Sequence, residues 1–247
     1  MPAGIMRQSE RFYRDYTDSA RWKSSRVTVE TTDLLIRARS RSQARAENIV
    51  RRLRQEIRDH VRVQPDFLTS LSPVERTGCT PRIIELMYSA SEKTGVGPMA
   101  AVAGAVAELV GAELAEDSEE VIVENGGDIW MTLTEPAKIT LFSGSRYFDS
   151  ALAISVSPEK TPCGVCTSSG RIGPSLSFGR ADSATVISGD TALADAAATG
   201  AANMVQTSDD LTCALEWALG TPGVRGGVIV YRHEMAAQGD IELAKPF

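Results

Sequence analysis

Apolar residues recur along the chain with two different periods, which predict where strands and helices lie. The stretches VTVE and DLLIRAR, separated by Thr31-Thr32, are enriched in Val, Ile and Thr and predict two early strands joined by a short connection. In residues 41–62 the apolar positions fall at helical spacing, with arginine and glutamate between them, a pattern typical of an amphipathic helix. We therefore expect a helix lying on a sheet.

Helix signals return after residue 80, and one of the helices has a side made of very small residues. Pro81 suits the first turn of a helix over residues 82–93 that Gly95 ends, and a second helix is predicted from Pro98 in GPMAAVAGAVAELVGAELAE. Its alanines and glycines let another backbone approach closely, so we expect it to pack against a second small-residue helix. TALADAAATGAANMVQ, capped at Asp190, is also predicted to be a helix of small residues.

From residue 120 the pattern changes to that of strands. EEVIVEN, DIWMTLT, KITLFSG, ALAISVS and SATVISG predict strands, with turns at Asn125-Gly126-Gly127 and Glu135-Pro136. Residues 158–182 are rich in Gly, Ser and Pro and are predicted to form the longest irregular stretch. A helix in LTCALEWALG and a final strand in GGVIVYR follow. This order favours an α+β fold over a doubly wound parallel sheet.

The composition indicates a folded protein without a membrane span. With 43% apolar and 23% charged among 247 residues, the chain can bury a large core, and no linker-like stretch divides it, so we predict one domain over residues 1–247. No apolar run reaches the roughly 18 residues that a transmembrane helix needs, and the N-terminus lacks an apolar signal-peptide core. We therefore expect a cytoplasmic protein with no membrane partner, and its four cysteines fit a reducing compartment.

The net charge of −6 hides a basic N-terminal part. Residues 1–65 hold 15 Lys and Arg against 8 Asp and Glu. The arginines are interspersed with acidic and apolar residues, which favours a solvated helix face over a nucleic-acid-binding arm. We therefore predict no nucleic-acid partner.

Asp195 and Thr199 stand four residues apart in a helix made largely of alanine and glycine, so they share one face. Burying an unpaired carboxylate costs several kcal/mol, and a hard cation such as Mg²⁺, which prefers oxygen ligands, would satisfy it. These two residues are the candidate metal ligands. The alternative is that Asp195 interacts with the N-terminus of its own helix, about one turn away.

Two short motifs allow either a ligand-binding surface or ordinary turns. Gly126 and Gly127 would form a hairpin turn, or their missing side chains would let a ligand approach the backbone while Asp128 or Glu124 hydrogen-bonds it. The CTSSG motif offers hydroxyls and amides that suit a phosphate or a nucleotide edge, although a serine-rich loop is more often only a loop. The candidate binding residues of this motif are Thr167, Ser168, Ser169 and Gly170.

Cys163 and Cys166 form a C-G-V-C pair, which predicts either a reactive thiol or half of a metal site. Zinc and iron–sulfur sites need about four ligands, and the sequence has no second pair of cysteines. His60 and His233 are isolated in the sequence. A reactive thiol stays open, with Cys166 as a candidate catalytic residue beside Asp195.

The order of these motifs resembles that of the ApbE superfamily of flavin transferases. VENGGDIW, CTSSG and ADAAAT match its series of GGD after a strand, T-S-x-G, and A-D-A-x-A-T in a helix, over roughly residues 95–205. The whole chain looks most like a smaller ApbE-like family. The resemblance implies a T-fold-like α+β architecture, in which two pairs of helices pack on antiparallel sheets.

Enzymes of that superfamily move FMN from FAD onto a threonine or serine hydroxyl of a target protein, with help from Mg²⁺. The resemblance implies that Asp195 and Thr199 ligate Mg²⁺, with a backbone carbonyl from residues 95–98. Gly127 and Asp128 would hold the nucleotide, and residues 167–170 would line the same pocket. The implied partners are a flavin nucleotide or another small molecule, a protein partner, and a second copy of the chain in a homodimer.

The chain departs from the superfamily pattern at two places. Gly97-Pro98-Met99-Ala100 stands where those enzymes carry a lysine-glycine pair, and IGPSLSFGRAD replaces a histidine-containing loop. Two other functions therefore stay open. One is a cytoplasmic protein of sulfur or amino-acid metabolism that uses Cys163 or Cys166, for which the family resemblance implies homocysteine formation. The other is a non-catalytic scaffold that keeps only the fold.

Overall fold

The computed structural model describes residues 21–40, 43–143, 145, 147–148, 151–169 and 179–246. Within these residues the strands are β1 (Lys23–Val29), β2 (Thr32–Ala38), β3 (Val121–Asn125), β4 (Asp128–Thr132), β5 (Ala137–Thr140), β6 (Ala153–Val156), β7 (Cys163–Ser168), β8 (Ser183–Ser188), β9 (Val224–Tyr231), β10 (Glu234–Gly239) and β11 (Glu242–Ala244). The helices are α1 (Gln43–Val63), α2 (Asp66–Thr69), α3 (Arg82–Thr94), α4 (Val102–Leu114), α5 (Thr191–Met204) and α6 (Leu211–Gly220). A 3-10 turn, Pro98–Ala101, leads directly into α4.

The strands form two antiparallel sheets, which confirms the predicted α+β fold. The larger sheet has the order β1-β2-β3-β4-β7-β8-β9-β10, and the smaller sheet has the order β11-β6-β5. Helices α1, α4, α5 and α6 lie on one face of the larger sheet, and α3 packs on these helices. The smaller sheet covers the other face. The larger sheet is therefore the middle layer of three.

Side chains of the central strands alternate between the two faces of the larger sheet. Along β4, Trp130 packs among helix side chains, whereas Met131 packs with residues of the smaller sheet. The Trp130 ring lies over Gly111 of α4, where an added Cβ would sit 2.0 Å from it. Asp128, two residues before Trp130, therefore belongs to the helix side of the sheet.

The small side of α4 packs on α5, as predicted from its alanines and glycines. A Cβ added to Gly104 would lie 2.3 Å from the backbone oxygen of Thr191, so the two helix backbones touch at their first turns. Gly200 of α5 receives the ring of Trp217 from α6, where an added Cβ would lie 2.2 Å from the ring. Small residues are required at both contacts because the space of a side chain is already filled.

The arginines of α1 are partly or largely exposed and pair with nearby carboxylates. These pairs include Arg45 with Glu116 and Asp117, Arg51 with Glu47, Arg52 with Glu113, and Arg58 with Glu30. The basic charge of α1 is therefore neutralised locally, which is the arrangement expected of a solvated helix face.

Two parts of the chain differ from the prediction. Residues 163–168, assigned to an irregular stretch, form strand β7 in the middle of the larger sheet. Small residues are favoured here because α5 lies directly on the strand: a Cβ at Gly164 would sit 2.7 Å from Thr191. After the predicted last strand come β10 and β11, and β10 was missed because this largely exposed edge strand, EMAAQG, carries no alternating apolar pattern.

Among the described helices, none alone has the length and apolarity to cross a membrane. Helix α3 and residues 98–114 reach that length and composition only as a pair, bent by 110°.

Candidate functional site

The Asn-Gly-Gly-Asp stretch forms the turn between β3 and β4. Asn125 pairs with Asp128 across the turn, so Gly126 and Gly127 make up the whole connection. Both glycines have positive φ, 74° and 125°, which residues with side chains rarely adopt. The predicted hairpin turn is therefore confirmed, and it places Asp128 as the first residue of β4.

The turn is tied to the start of α4, and so is Asp195. The side-chain amide of Asn125 donates to the carbonyl oxygen of Ala103 at 3.1 Å. The next residue, Gly104, donates its backbone N–H to Oδ2 of Asp195 at 2.9 Å. Asp195 thus caps the first turn of the neighbouring helix, not its own helix as one interpretation of the sequence held. The hairpin turn, α4 and α5 meet at this point.

Two other carboxylates cap the N-terminus of α5. Asp190 accepts the N–H of Leu193 at 2.9 Å, and Glu108 of α4 accepts the N–H of Thr191 at 2.7 Å. Burial, followed by the charge of Asp190, raises the pKa of Glu108. The sequence prediction missed Glu108, although an acid in an apolar helix is the same signal that identified Asp195. Each of the helices α4 and α5 therefore receives a carboxylate from the other at its first turn.

Asp128 and Asp195 form a pair of buried acids beside the turn. Burial raises the pKa of Asp195 to about 7, although N–H groups of Gly104 and Ala103 favour its charged form. Burial, followed by the charge of Asp195, raises the pKa of Asp128 well above its usual range. Two buried acids whose charges act on each other repel when both are ionised, so a bound cation or a proton stabilises the pair.

Strand β7 lies beside β4 and reaches the turn mainly through its backbone. Asp128 stands directly opposite Cys166 in the sheet, and the N–H of Thr167 donates to the carbonyl oxygen of Gly127 at 3.1 Å. The hydroxyl of Thr167 lies on the other face of the sheet, 2.9 Å from Oγ1 of Thr185. Only the backbone of Thr167 therefore contacts the turn.

The two serines that follow Thr167 are half-buried at the end of β7. Ser168 lies on the helix side of the sheet by alternation with Cys166. The Ser169 hydroxyl donates to the carbonyl oxygen of Asp182 at 2.6 Å. Gly170 lies outside the described residues, so its role stays a prediction. The predicted binding motif is thus divided between the two faces of the sheet.

The C-x-x-C pair does not form a dithiol unit. Its two side chains point to opposite faces of β7, with Cys163 in the core under the smaller sheet and Cys166 toward α5. Burial raises the pKa of Cys163 to about 11. Burial and the charges of Asp128 and Asp195 raise the pKa of Cys166 well above its usual range. These surroundings keep both thiols neutral and disfavour the predicted nucleophile at Cys166.

The candidate ligands for a cation at this site are oxygen atoms. Thr199 lies one turn beyond Asp195 on α5 and is half-buried. Among the residues that the structure describes, no group of three or more His, Cys, Asp and Glu side chains could hold a metal ion. A cation here would complete its shell with hydroxyl, carbonyl, water or phosphate oxygens, as Mg²⁺ does in phosphate-binding sites. The donors present are therefore of the oxygen type that Mg²⁺ prefers.

Sequence comparison finds relatives over most of the chain. A family described as AbpE bacteria matches residues 14–216. A UPF0280 protein of Methanocaldococcus jannaschii is 35% identical over 231 residues, covering 91% of this chain and 94% of the relative. A UPF0280 protein of Methanocella arvoryzae is 38% identical over 189 residues, covering 76% of this chain and 77% of the relative.

Solved structures with a similar fold are ApbE proteins. The apo form of the Pseudomonas stutzeri flavinyl transferase ApbE matches with a TM-score of 0.55 and 13% identity, over 88% of this chain and 94% of that one. The ApbE protein of Thermotoga maritima matches with a TM-score of 0.52 and 13% identity, over 90% and 96% of the two chains. At this identity the likeness concerns the fold, and it confirms the ApbE-like architecture that the order of the motifs predicted.

Proposed function

This chain belongs to the family described as AbpE bacteria, and on that premise we propose that it binds a flavin nucleotide, FAD, together with Mg²⁺ where the β3–β4 turn meets α4 and α5. The fold that it shares with flavin transferases supports a flavin-related function. The observation that carries the proposed location is the buried acid pair, Asp128 and Asp195, beside the Gly-Gly turn. A bound cation would neutralise the charge of two carboxylates that are buried at the same site.

The β3–β4 turn, α4 and α5 each have a separate role in the proposed binding. Asp195, held by the N–H of Gly104, and Thr199 would ligate the cation. When bound, Mg²⁺ would neutralise charge on the pyrophosphate of the nucleotide. Gly126 and Gly127 lack side chains, so the nucleotide can approach the backbone of the turn closely.

The reaction proposed for this site is transfer of FMN to a serine or threonine hydroxyl of a protein substrate. The hydroxyl oxygen bonds to the phosphorus of the FMN half, the pyrophosphate bond breaks, AMP leaves, and the hydroxyl proton is released. Both histidines lie in other surroundings: His60 Nε2 is 2.9 Å from the hydroxyl of Tyr88, and His233 Nε2 is 3.8 Å from Oε1 of Glu234. Catalysis would therefore depend on positioning and charge, which supply most of the acceleration in phosphoryl transfer.

Titration of the purified protein with FAD, followed by flavin fluorescence with and without Mg²⁺, tests the proposal. We expect Mg²⁺ to tighten FAD binding, and ADP to compete with FAD when Mg²⁺ is present. Asp195→Ala should abolish the effect of Mg²⁺, and Thr199→Ala should weaken it. Asp195→Asn removes the charge but keeps an acceptor for the N–H of Gly104. A change in FAD binding in this variant therefore reports loss of the charge and not loss of the fold.

The matched control is Glu216→Ala, which removes an exposed carboxylate from α6 and should bind FAD like the wild type. Wild-type protein that does not bind FAD in the presence of Mg²⁺ would overturn the proposal. Unchanged Mg²⁺-dependent binding in both Asp195 variants would do the same.

A further inference from the structure

We infer that Glu108 is a positioning residue that braces α5 against α4 and thereby fixes the direction of the Asp195 carboxylate. The role of that carboxylate in binding rests on the proposed function, whereas the bracing itself is a property of the folded chain. Glu108 belongs to neither the turn nor the pair of candidate metal ligands. It lies half-buried on α4, one turn beyond Gly104.

The bracing consists of two hydrogen bonds that run in opposite directions between the same two helices. Glu108 of α4 accepts the N–H of Thr191 in the first turn of α5, at 2.7 Å. Asp195, one turn further along α5, accepts the N–H of Gly104 in the first turn of α4, at 2.9 Å. Two such contacts at separate points fix both the sliding and the rotation of one helix on the other. A single contact would fix only one of these motions.

Thr191 is the point about which α5 would move. The residue is completely buried, with Gly104 of α4 on one side and Gly164 of β7 on the other, both too close for an added Cβ. If Glu108 were removed, the N–H of Thr191 would be left buried without its acceptor, and the first turn of α5 would shift toward another partner. Asp195 is one helical turn away and would shift with it.

Asp190 provides the matched control for this inference. It also caps α5, through the N–H of Leu193, but it belongs to the same segment of chain and joins no two helices. Asp190→Ala should therefore destabilise α5 by the loss of a cap but keep the hydrogen bond from the N–H of Gly104 to Asp195. Glu108→Ala also removes a cap and, in addition, should break the hydrogen bond from the N–H of Gly104 to Asp195. Glu108→Gln keeps an acceptor oxygen for Thr191 and should restore the wild-type arrangement.

The amide resonance of Gly104 in ¹H–¹⁵N spectra of the deuterated full-length protein reports directly on this contact. Asp195→Ala defines the shift that accompanies loss of the acceptor. We expect Glu108→Ala to move the Gly104 resonance in the same direction, and Asp190→Ala and Glu108→Gln to leave it near the wild-type position. An unmoved resonance in Glu108→Ala, or an equal movement in Asp190→Ala, would overturn the inference.

The FAD titration then connects the bracing to binding. Glu108→Ala should reduce the Mg²⁺-dependent gain in FAD affinity by about tenfold, the factor that corresponds to one hydrogen bond of a charged group. Asp190→Ala and Glu108→Gln should keep that gain. Wild-type protein without any such gain overturns the proposed function and leaves the resonance experiment to decide on Glu108. A normal gain in Glu108→Ala overturns its role in positioning Asp195 for binding.

Discussion

Replacement of Gly104 by alanine adds one methyl group at the contact between α4 and α5. The new Cβ would lie 2.3 Å from the backbone oxygen of Thr191 and 2.8 Å from Cβ of Asp195, closer than real Cβ atoms approach other heavy atoms. Because the nearest atom belongs to the backbone, no rotation of a side chain relieves the clash, and the helices must separate by about 1 Å. That movement would break or lengthen the hydrogen bond from Gly104 to Asp195.

The change in the free energy of unfolding combines three effects. Overpacking of a well-packed contact costs about 1–3 kcal/mol. Loss of a hydrogen bond to a charged group costs about 1.5–3 kcal/mol. Alanine in place of glycine within a helix stabilises it by up to about 1 kcal/mol. Gly104→Ala should therefore destabilise the protein by roughly 2–5 kcal/mol, despite the better helix former.

Urea unfolding at neutral pH, followed by far-ultraviolet circular dichroism, measures this difference. Gly220→Ala is the control, because it lies at the end of α6 and an added Cβ there meets no atom within 4 Å. The control should be neutral or more stable by up to about 1 kcal/mol. A Gly104→Ala protein with the wild-type midpoint and slope would refute direct contact between the two helix backbones.

Ionisation of the buried groups gives two further expected results. The pKa of Asp195 rises from 3.8 to about 7 on folding, so the folded protein holds a proton that the unfolded chain releases, and its stability should fall as the pH rises between these values. Urea unfolding over that range should show this fall in the wild type and a smaller one in Asp195→Asn, whereas equal slopes would contradict the assignment to Asp195. Iodoacetamide at neutral pH should label the exposed Cys79 and Cys213 in the native protein and spare Cys163 and Cys166 until unfolding. Rapid native labelling of Cys166 would be inconsistent with its burial.

Local signals in the sequence were sufficient for most of the secondary structure. The Gly-Gly turn before Asp128 and the end of α3 at Gly95 depend on backbone conformations that few other residues adopt, so a short stretch identifies them. Helix α1 can likewise be recognised from the amphipathic pattern of its own residues alone. Strand β7 was missed because Gly164 is small for a reason that lies elsewhere in the chain, the close passage of α5 over it.

The sequence identified individual residues of the candidate site but not the contacts between them. Asp195 was identified because an acid among alanines needs a partner, but the partner, the N–H of Gly104, is 91 residues away in the chain. The side of the sheet on which Thr167 presents its hydroxyl follows only once its strand and register are known. Glu108 could have been found by the same reasoning that found Asp195, since both are acids in helices of very small residues.

The exchange of carboxylates between α4 and α5 has a consequence for any anion that enters this junction. Helix beginnings usually attract phosphate with open N–H groups, yet here the chain's own acids already occupy several of them. A bare phosphate would meet carboxyl groups where it usually finds free N–H donors, whereas a phosphate that arrives with a bound cation would bring these acids a partner for their charged form. The fraction of protein with bound ligand would then depend on the concentration of free divalent cation. The protein would bind the metal-loaded form of its ligand in preference to the metal-free form.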